Sequence, residues 1–439
     1  MTPTAPSLKN DRDEYGYPVR PDSRRKLRNL AVHSSKRMLL TAIYGLMSMI
    51  GFFLRIGRLN RTDPKLTPQT FHPKHILVIR LDLIGDLVLS LPLVRLLKRT
   101  YPEAEIDLLA LPSSAKVVAS DPDLSEIIPY DPNIWRRPQA LLQAHHWRDA
   151  KALLQHLDDR HYDLAVSVFG PWAAILAVLS RAKRCIGFGR EGYPGLMTDN
   201  VPGRHWDEHD HLHEVDYCLQ LARTAGATTH ANDRFPRLYV DPQARQEVEA
   251  LLLKEGAQPG KTLIACHVSS NNGQSKRWPI PYWAMLIDRL IKEADATVVL
   301  TGAPNDLPLI EQITRRLHTS PLNLAGKTSL TQLAALLQRS DLLITGDSGP
   351  MHIAGAVGTP LIAIHGPTDP ALSGPVSTHA TVLRSDIWCS PCYKTKGPAD
   401  CRFYTTQCMK DITPNRVFTV VRDMLQQHTL IPASQETSE

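Results

Sequence analysis

From residue 74 onward the hydrophobic positions fall into short unbroken runs, separated by longer stretches with apolar residues at helical spacing. Ile76–Arg80, Ile106–Ala110, Leu164–Val168, Thr262–His267, Thr297–Thr301, Leu342–Thr345 and Leu361–His365 are the runs. Their continuity predicts strands buried on both faces, as in a parallel sheet. Helices are predicted between them. One leaves the turn Leu81–Asp86 and runs to about Thr100, with a kink or restart at Pro92. Trp135–His161 reads as mostly helical, and further helices are expected near 281–292, 307–317 and 330–339. Alternation at this spacing predicts an α/β chain with two doubly wound parallel sheets. The boundary is expected within Arg234–Gly260, which gives domains at 74–240 and 255–426 and a tail after Gln427 without structure.

Residues 1–73 follow a different pattern. Met38–Leu54 carries no charge, Lys36 and Arg37 precede it, and Arg55, Arg58 and Arg61 follow. Its length is the lower limit for a bilayer span. Basic residues on both sides give no orientation, so a helix lying in the membrane surface is the expectation, against a helix packed on the body. Residues 60–73, with three prolines, read as a linker. Charge sharpens this division. The chain is +6 overall, but residues 1–74 hold 14 Lys/Arg and 5 Asp/Glu, leaving −3 for the remainder. A basic excess confined to the leader predicts contact with a membrane surface and no nucleic-acid partner. Seven cysteines are too few for a disulfide scaffold and suit a reducing compartment. No secretory signal peptide is expected.

The densest chemistry lies in Ser340–Pro370, SDLLITGDSGPMHIAGAVGTPLIAIHGPTDP. Strand, glycine turn, helix and strand make a βαβ unit. Pro350 suits a helix start and Gly358 a helix stop. The amides at that start suit phosphate, and Asp347 beside them can accept hydrogen bonds from sugar hydroxyls. A plain helix cap is the alternative. Asp86 sits at another strand-to-helix turn, where a carboxylate stays ionised and can take a proton, and Asp82 competes for that role. Lys276, after the loop Ser269–Ser275, can stabilise phosphate charge without a metal.

D-S-G-P-M-H-x-A-x-A-x-G-T-P with G-P-T-D-P, together with Ile76–Pro92 (ILVIRLDLIGDLVLSLP) and Lys276–Pro279 (KRWP), resembles glycosyltransferase family nine, the bacterial heptosyltransferases of the lipopolysaccharide inner core. The resemblance runs from about Lys74 to about Asp423. It implies the GT-B architecture, two Rossmann-like domains facing a cleft, to which the leader adds a membrane-associated helix. It implies an inverting, metal-independent transfer of heptose from ADP-heptose to a lipid-linked saccharide at the cytoplasmic face of the inner membrane. Asp86 takes the place of the catalytic base. Lys276, Ser269, Ser270, Asp347, Ser348, Gly349, Pro350, Met351 and His352 take the place of the donor site. The leader departs from the family pattern, which leaves open another nucleotide sugar in a different surface polysaccharide. A saccharide-binding membrane protein without activity and a nucleotide-sugar epimerase are the remaining alternatives. Arg136, Arg137 and Arg148 are candidates for an acidic acceptor.

Three further patterns need weighing. Gly187–Gly192 fits G-x-G-x-x-G, but Tyr193-Pro194-Gly195 cannot open the required helix, so a loop is expected. His205, His209, His211 and His213, with Asp207 and Asp210, read as the approach to a helix stabilised by Leu212, Val215, Leu219 and Ala222, with metal ligation the alternative. Cys389-x2-Cys392-x8-Cys401-x6-Cys408 suits structural zinc, against free thiols or a redox or iron–sulfur role. No cofactor is expected for catalysis.

Overall fold

The computed structural model describes residues 49, 71–189, 194–202, 212–270, 273–393 and 401–430. The predicted helix 38–54 therefore lies outside the described residues, apart from Met49, which is helical. Among the described residues no helix is long and apolar enough to cross a membrane. The chain divides into two compact units between Asp241 and Pro242.

The first unit holds β1 (His75–Arg80), α1 (Ile84–Leu89), α2 (Leu91–Thr100), β2 (Glu105–Ala110), β3 (Glu126–Pro129), α3 (Ala144–Asp159), β4 (Leu164–Ser167), α4 (Gly170–Leu179), β5 (Arg184–Phe188), β6 (Asp199–Val201) and α5 (Glu214–Thr224). The strands lie in the order β3-β2-β1-β4-β5-β6, and the pairings are parallel, with Ile76 opposite Ile106 and Leu164. The predicted restart at Pro92 is a break at Ser90, whose hydroxyl donates to the Leu87 carbonyl at 2.7 Å. Asp107, inside β2, is buried because Arg160 and the Tyr162 hydroxyl donate to its carboxylate at 2.7–3.0 Å. The end of the predicted linker is not loose. Phe71 is buried beneath the Arg184 guanidinium, 4.8 Å from its ring centre, and Asp163 accepts the amides of Lys74 and His75.

The second unit holds α6 (Pro242–Lys254), β7 (Leu263–His267), α7 (Ile280–Lys292), β8 (Thr297–Thr301), α8 (Leu307–Thr314), β9 (Leu322–Asn323), α9 (Leu330–Arg339), β10 (Leu342–Gly346), α10 (Gly349–Val357), β11 (Leu361–His365), β12 (Ala380–Arg384) and α11 (Pro414–Leu430). Its order, β12-β11-β10-β7-β8-β9, repeats that of the first unit. Every residue of β7, β10 and β11 is buried, which explains their unbroken apolar sequence. Ile264, Val298, Ile344, Trp283, Ile287 and Phe418 join the sheet to its helices in one core. The last helix runs through Leu430, past the predicted limit at Gln427. Gly358, at φ 87°, ends α10 in the left-handed conformation a glycine adopts without steric cost. In an open sheet of this order, ligands collect at the carboxyl ends of the strands, where the winding reverses. Those points are β1/β4 in one unit and β7/β10 in the other.

Candidate active site

At the β7/β10 point two loops converge. Gly273, at φ 126°, turns the chain into the short helical turn Gln274–Lys276. Trp278 pins this segment, buried and donating its indole N–H to the Ile412 carbonyl at 2.7 Å. Gly346 lets the two loops touch, since a Cβ there would stand 3.2 Å from the Lys276 carbonyl oxygen. Lys276 Nζ then lies 2.7 Å from Asp347 Oδ2, and the Ser270 hydroxyl donates to the Asp347 carbonyl at 3.0 Å. Burial would raise the Asp347 carboxyl. The charge of Lys276 above all, with His365 and His352, holds it below the usual range.

The predicted donor residues do not all face the same way. Ser348 caps α10 in position only, because its hydroxyl bonds Thr345 Oγ1 at 2.9 Å and makes no bond to the helix amides. Ser269 is buried and bonds His267 Nε2 at 3.2 Å, while His267 Nδ1 bonds Thr345's counterpart on β8, Thr301 Oγ1, at 3.1 Å. Met351 packs into the core, with its amide donated to the Ser348 carbonyl at 3.1 Å. Pro350 and His352 are also buried. Lys276, Ser270 and Asp347 thus meet, Gly349 opens the helix beside them, and Ser269, Pro350 and Met351 serve the shape of the turn. Two neighbours escaped the sequence reading. His365 ends β11, bonds Thr368 Oγ1 through Nδ1 at 3.1 Å, and has burial pushing its pKa down. The Tyr393 ring centre lies 4.4 Å from Lys276 Nζ.

The β1/β4 point is built on a buried cation. Arg80 is 1% exposed, and its Nη2 donates to Glu214 Oε1 at 2.8 Å. Its Nε lies 3.2 Å from Asp82 and its Nη2 lies 3.6 Å from Asp86. Burial would weaken its charge, but Glu214, Asp82 and Asp86 outweigh burial and raise its pKa. Asp86 stands in the first turn of α1 and is the most open of the three carboxylates, 40% exposed against 22% for Asp82 and 12% for Glu214. An arginine ending an apolar strand was the signal for this cluster. Glu214 comes from α5 and carried none.

The profile of glycosyltransferase family 9 (heptosyltransferase) matches residues 150–402. The chain belongs to glycosyltransferase family 9. This glycosyltransferase is 28% identical over 357 residues to lipopolysaccharide heptosyltransferase 2 of Salmonella typhimurium, covering 80% of this chain and 98% of that one. It is 28% identical over 359 residues to the Escherichia coli K12 protein of the same name, covering 80% and 99%. The solved structure of E. coli ADP-heptose LPS heptosyltransferase II superposes with a TM-score of 0.63 at 27% identity, covering 81% and 99%. A family 9 glycosyltransferase of Veillonella parvula shares the fold, with a TM-score of 0.67 at 22% identity, covering 81% and 97%.

Elsewhere in the glycosyltransferase the remaining motifs resolve unevenly. His205, His209, His211, Asp207 and Asp210 lie outside the described residues. His213 caps α5, its Nδ1 accepting the Val215 amide at 3.2 Å. Gly187 lies inside β5, where a Cβ would come 2.8 Å from Met197 Sδ, and residues 190–193 lie outside the described residues. Arg136, Arg137 and Arg148 are exposed around Trp135 and Trp147, whose rings lie 4.8 Å apart. Among the described residues no group of three or more His, Cys, Asp or Glu side chains has the geometry of a metal site.

Proposed function

We propose that this glycosyltransferase moves a heptose from ADP-heptose to a lipid-linked saccharide of the lipopolysaccharide core. The observation that carries the reading is Lys276 held 2.7 Å from Asp347 beside the first turn of α10. On donor binding, the diphosphate takes the lysine and lies against the start of the helix, where partial positive charge favours it. Asp347, released, accepts hydrogen bonds from the sugar. Asp86 takes the proton of the acceptor hydroxyl as that oxygen bonds the anomeric carbon. The bond from that carbon to the phosphate oxygen breaks, and ADP departs with the electron pair, stabilised by Lys276. Attack opposite the leaving group inverts the anomeric centre. Arg80 supports the base by position, its buried Nη2 lying 3.6 Å from Asp86. What supports assigning the role to Asp86 over Asp82 is its greater exposure.

The acceptor in this proposal is membrane-borne, and the enzyme works at the cytoplasmic face of the inner membrane. The apolar stretch 38–54 with its basic flanks supports that placement. So does the exposed group Leu142, Trp147, Arg136, Arg137 and Arg148, which pairs apolar surface with positive charge.

The decisive experiment is product analysis with ADP-heptose, a panel of other nucleotide sugars and a core glycolipid acceptor. Heptosylated glycolipid from ADP-heptose alone is expected. Asp86→Asn is expected to lower transfer roughly 10²- to 10⁴-fold while ADP still binds. Transfer by that variant near the wild-type rate would remove Asp86 from the role. Free sugar formed without acceptor would replace transfer with epimerase chemistry.

A further inference from the structure

We infer, on the reading of Lys276 as the donor lysine, that His365 is a positioning residue of the donor site. When Lys276 leaves Asp347 for a diphosphate, the His365 Nε2–H takes the lysine's place on the Asp347 carboxylate and keeps that carboxylate turned to the sugar. The exchange needs such a replacement. Asp347 is only 11% exposed, and the charge of Lys276 is the largest of those that offset its burial. A carboxylate left in that position without a donor is strongly disfavoured. The replacement has to stand within reach of Asp347 and be idle while the lysine is in place.

His365 stands within reach. Strands β10 and β11 pair in parallel, with Gly346 opposite Ile364. Asp347 and His365 each follow that pair by one residue, so the two side chains leave neighbouring strand ends side by side. Arg384 lies opposite His365 on the next strand, β12. The neighbours also feel each other's charge. Among charged groups Asp347 acts most strongly on the His365 ring, ahead of Lys276, Arg384 and Asp369. In return, His365 is second only to Lys276 among the charges acting on Asp347.

His365 is also idle. Its Nε2 is buried and has no hydrogen-bond partner among the described residues. Buried polar atoms are nearly always bonded, so such an atom calls for a reason. The other ring nitrogen is taken, with Nδ1 3.1 Å from the hydroxyl of the buried Thr368. With that hydroxyl as the donor, the ring's one proton sits on Nε2. Burial above all, with the charges of Lys276 and Arg384, keeps the ring neutral against Asp347 and Asp369. His365 is therefore an N–H donor in waiting and not a second cation competing for the phosphate.

The ring itself is held still. The Ser390 hydroxyl donates to the Gly366 carbonyl at 2.6 Å, and the Cys392 and Tyr393 amides donate to the Pro367 carbonyl at 2.9 and 2.8 Å. These bonds fix the turn that follows the ring and carries Thr368. Asp347 is the part that moves, by rotation of its side chain toward Nε2. Direct contact between His365 and the donor fits less well, because the ring is 0% exposed while Lys276 and Asp347 each keep an open edge.

The test is a double-mutant cycle on the full chain, read by calorimetry with ADP. His365→Leu is expected to weaken ADP binding about 10-fold, the loss of one bond to a carboxylate. His365→Gln, whose amide can donate from about the Nε2 position, is expected to recover binding to within about threefold of wild type. With Asp347→Asn the carboxylate is gone, and adding His365→Leu is expected to change ADP affinity less than about twofold. A loss of similar size in both backgrounds would give His365 a merely structural role, and unchanged binding by His365→Leu would remove it from the site. A second cycle needs no ligand. Lys276→Met releases Asp347 permanently, so there His365→Leu is expected to lower the urea midpoint of the second unit more than it does in wild type. Equal losses would overturn the hand-over. Unequal losses in a protein whose wild type binds no ADP would instead overturn the donor reading of Lys276 and leave the hand-over standing.

Discussion

The two units of this chain have the same strand order and place a cation at the same topological point, yet they treat that cation in opposite ways. In the first unit Arg80 is sealed under the sheet end, 1% exposed, with three carboxylates around it. In the second, Lys276 reaches in from a loop and, among the described residues, is matched within ion-pair distance by the Asp347 carboxylate alone. A guanidinium stays charged when buried, so it can serve as permanent structure. A lysine on a flexible stem can exchange its partner for a phosphate. The same fold thus offers a fixed charge that holds a carboxylate in readiness and a displaceable charge that waits for a ligand.

The largest expected effect breaks the fixed half. Arg80→Met takes the buried guanidinium away from Glu214, Asp82 and Asp86, which costs about 3–5 kcal/mol by the measure of other buried pairs. Urea unfolding of the variant is expected to lose the first unit at lower denaturant while the second unit's transition stays in place. Lys276→Met is the matching change in the displaceable half. It is expected to lower ADP affinity about 100-fold, the loss of one charge-assisted bond to the diphosphate. Because Asp347 also loses its partner, some stability goes with it. Titration calorimetry with ADP separates the two effects, and a Lys276→Met variant binding ADP as wild type does would end the comparison.

Acid provides a smaller effect that distinguishes the units further. His267 is buried neutral, with burial pushing its pKa from 6.5 to about 4, and His365 is shifted the same way. Between those values the unfolded chain binds more protons than the folded one, so stability is complete above about pH 6.5 and falls as pH drops toward 4. For His267 the total is on the order of 3 kcal/mol. Both histidines belong to the second unit, and Arg80 does not titrate in this range. Acid is therefore expected to loosen the second unit first, read by the fluorescence of the buried Trp278 and Trp283 in urea at pH 5 and pH 7.5. His267→Asn is expected to flatten that dependence.

How much of this was legible in the sequence follows from the same contrast. Unbroken apolar runs placed their strands to within one residue, and Leu361–His365 to the residue, because a parallel strand buried on both faces has no polar side to blur it. Lys276 and Asp347 were readable because each stands in a local turn motif. Their pairing across 71 residues was not. The first unit's cluster was less legible still. Arg80 looked like the polar end of a strand, and its strongest partner, Glu214, stands 134 residues away in a helix with no motif. Ser269 and Met351 matched a pattern by residue type, but the direction of a side chain depends on the fold around it. The core took one inward and a buried histidine took the other.

The smallest effect sharpens the comparison within the second unit, between two serines that begin helices. Ser329 caps α9 fully: its hydroxyl accepts the Gln332 amide at 3.2 Å, and the Gln332 side chain accepts the Ser329 amide at 2.8 Å. Ser348 begins α10 with its hydroxyl turned to Thr345 instead. A cap of the first kind is worth about 1 kcal/mol. Ser329→Ala is therefore expected to cost that much in thermal or urea unfolding and to leave ADP affinity unchanged. Ser348→Ala surrenders no cap and is expected to cost less than about 0.5 kcal/mol, within the range of changes that break no special contact. Its ADP affinity is expected to shift no more than about threefold, since the proposal gives the phosphate to Lys276 and the helix start and none of it to that hydroxyl. If Ser348→Ala proved as costly to stability as Ser329→Ala, its side chain would be capping after all, and the start of α10 would be closed to a diphosphate.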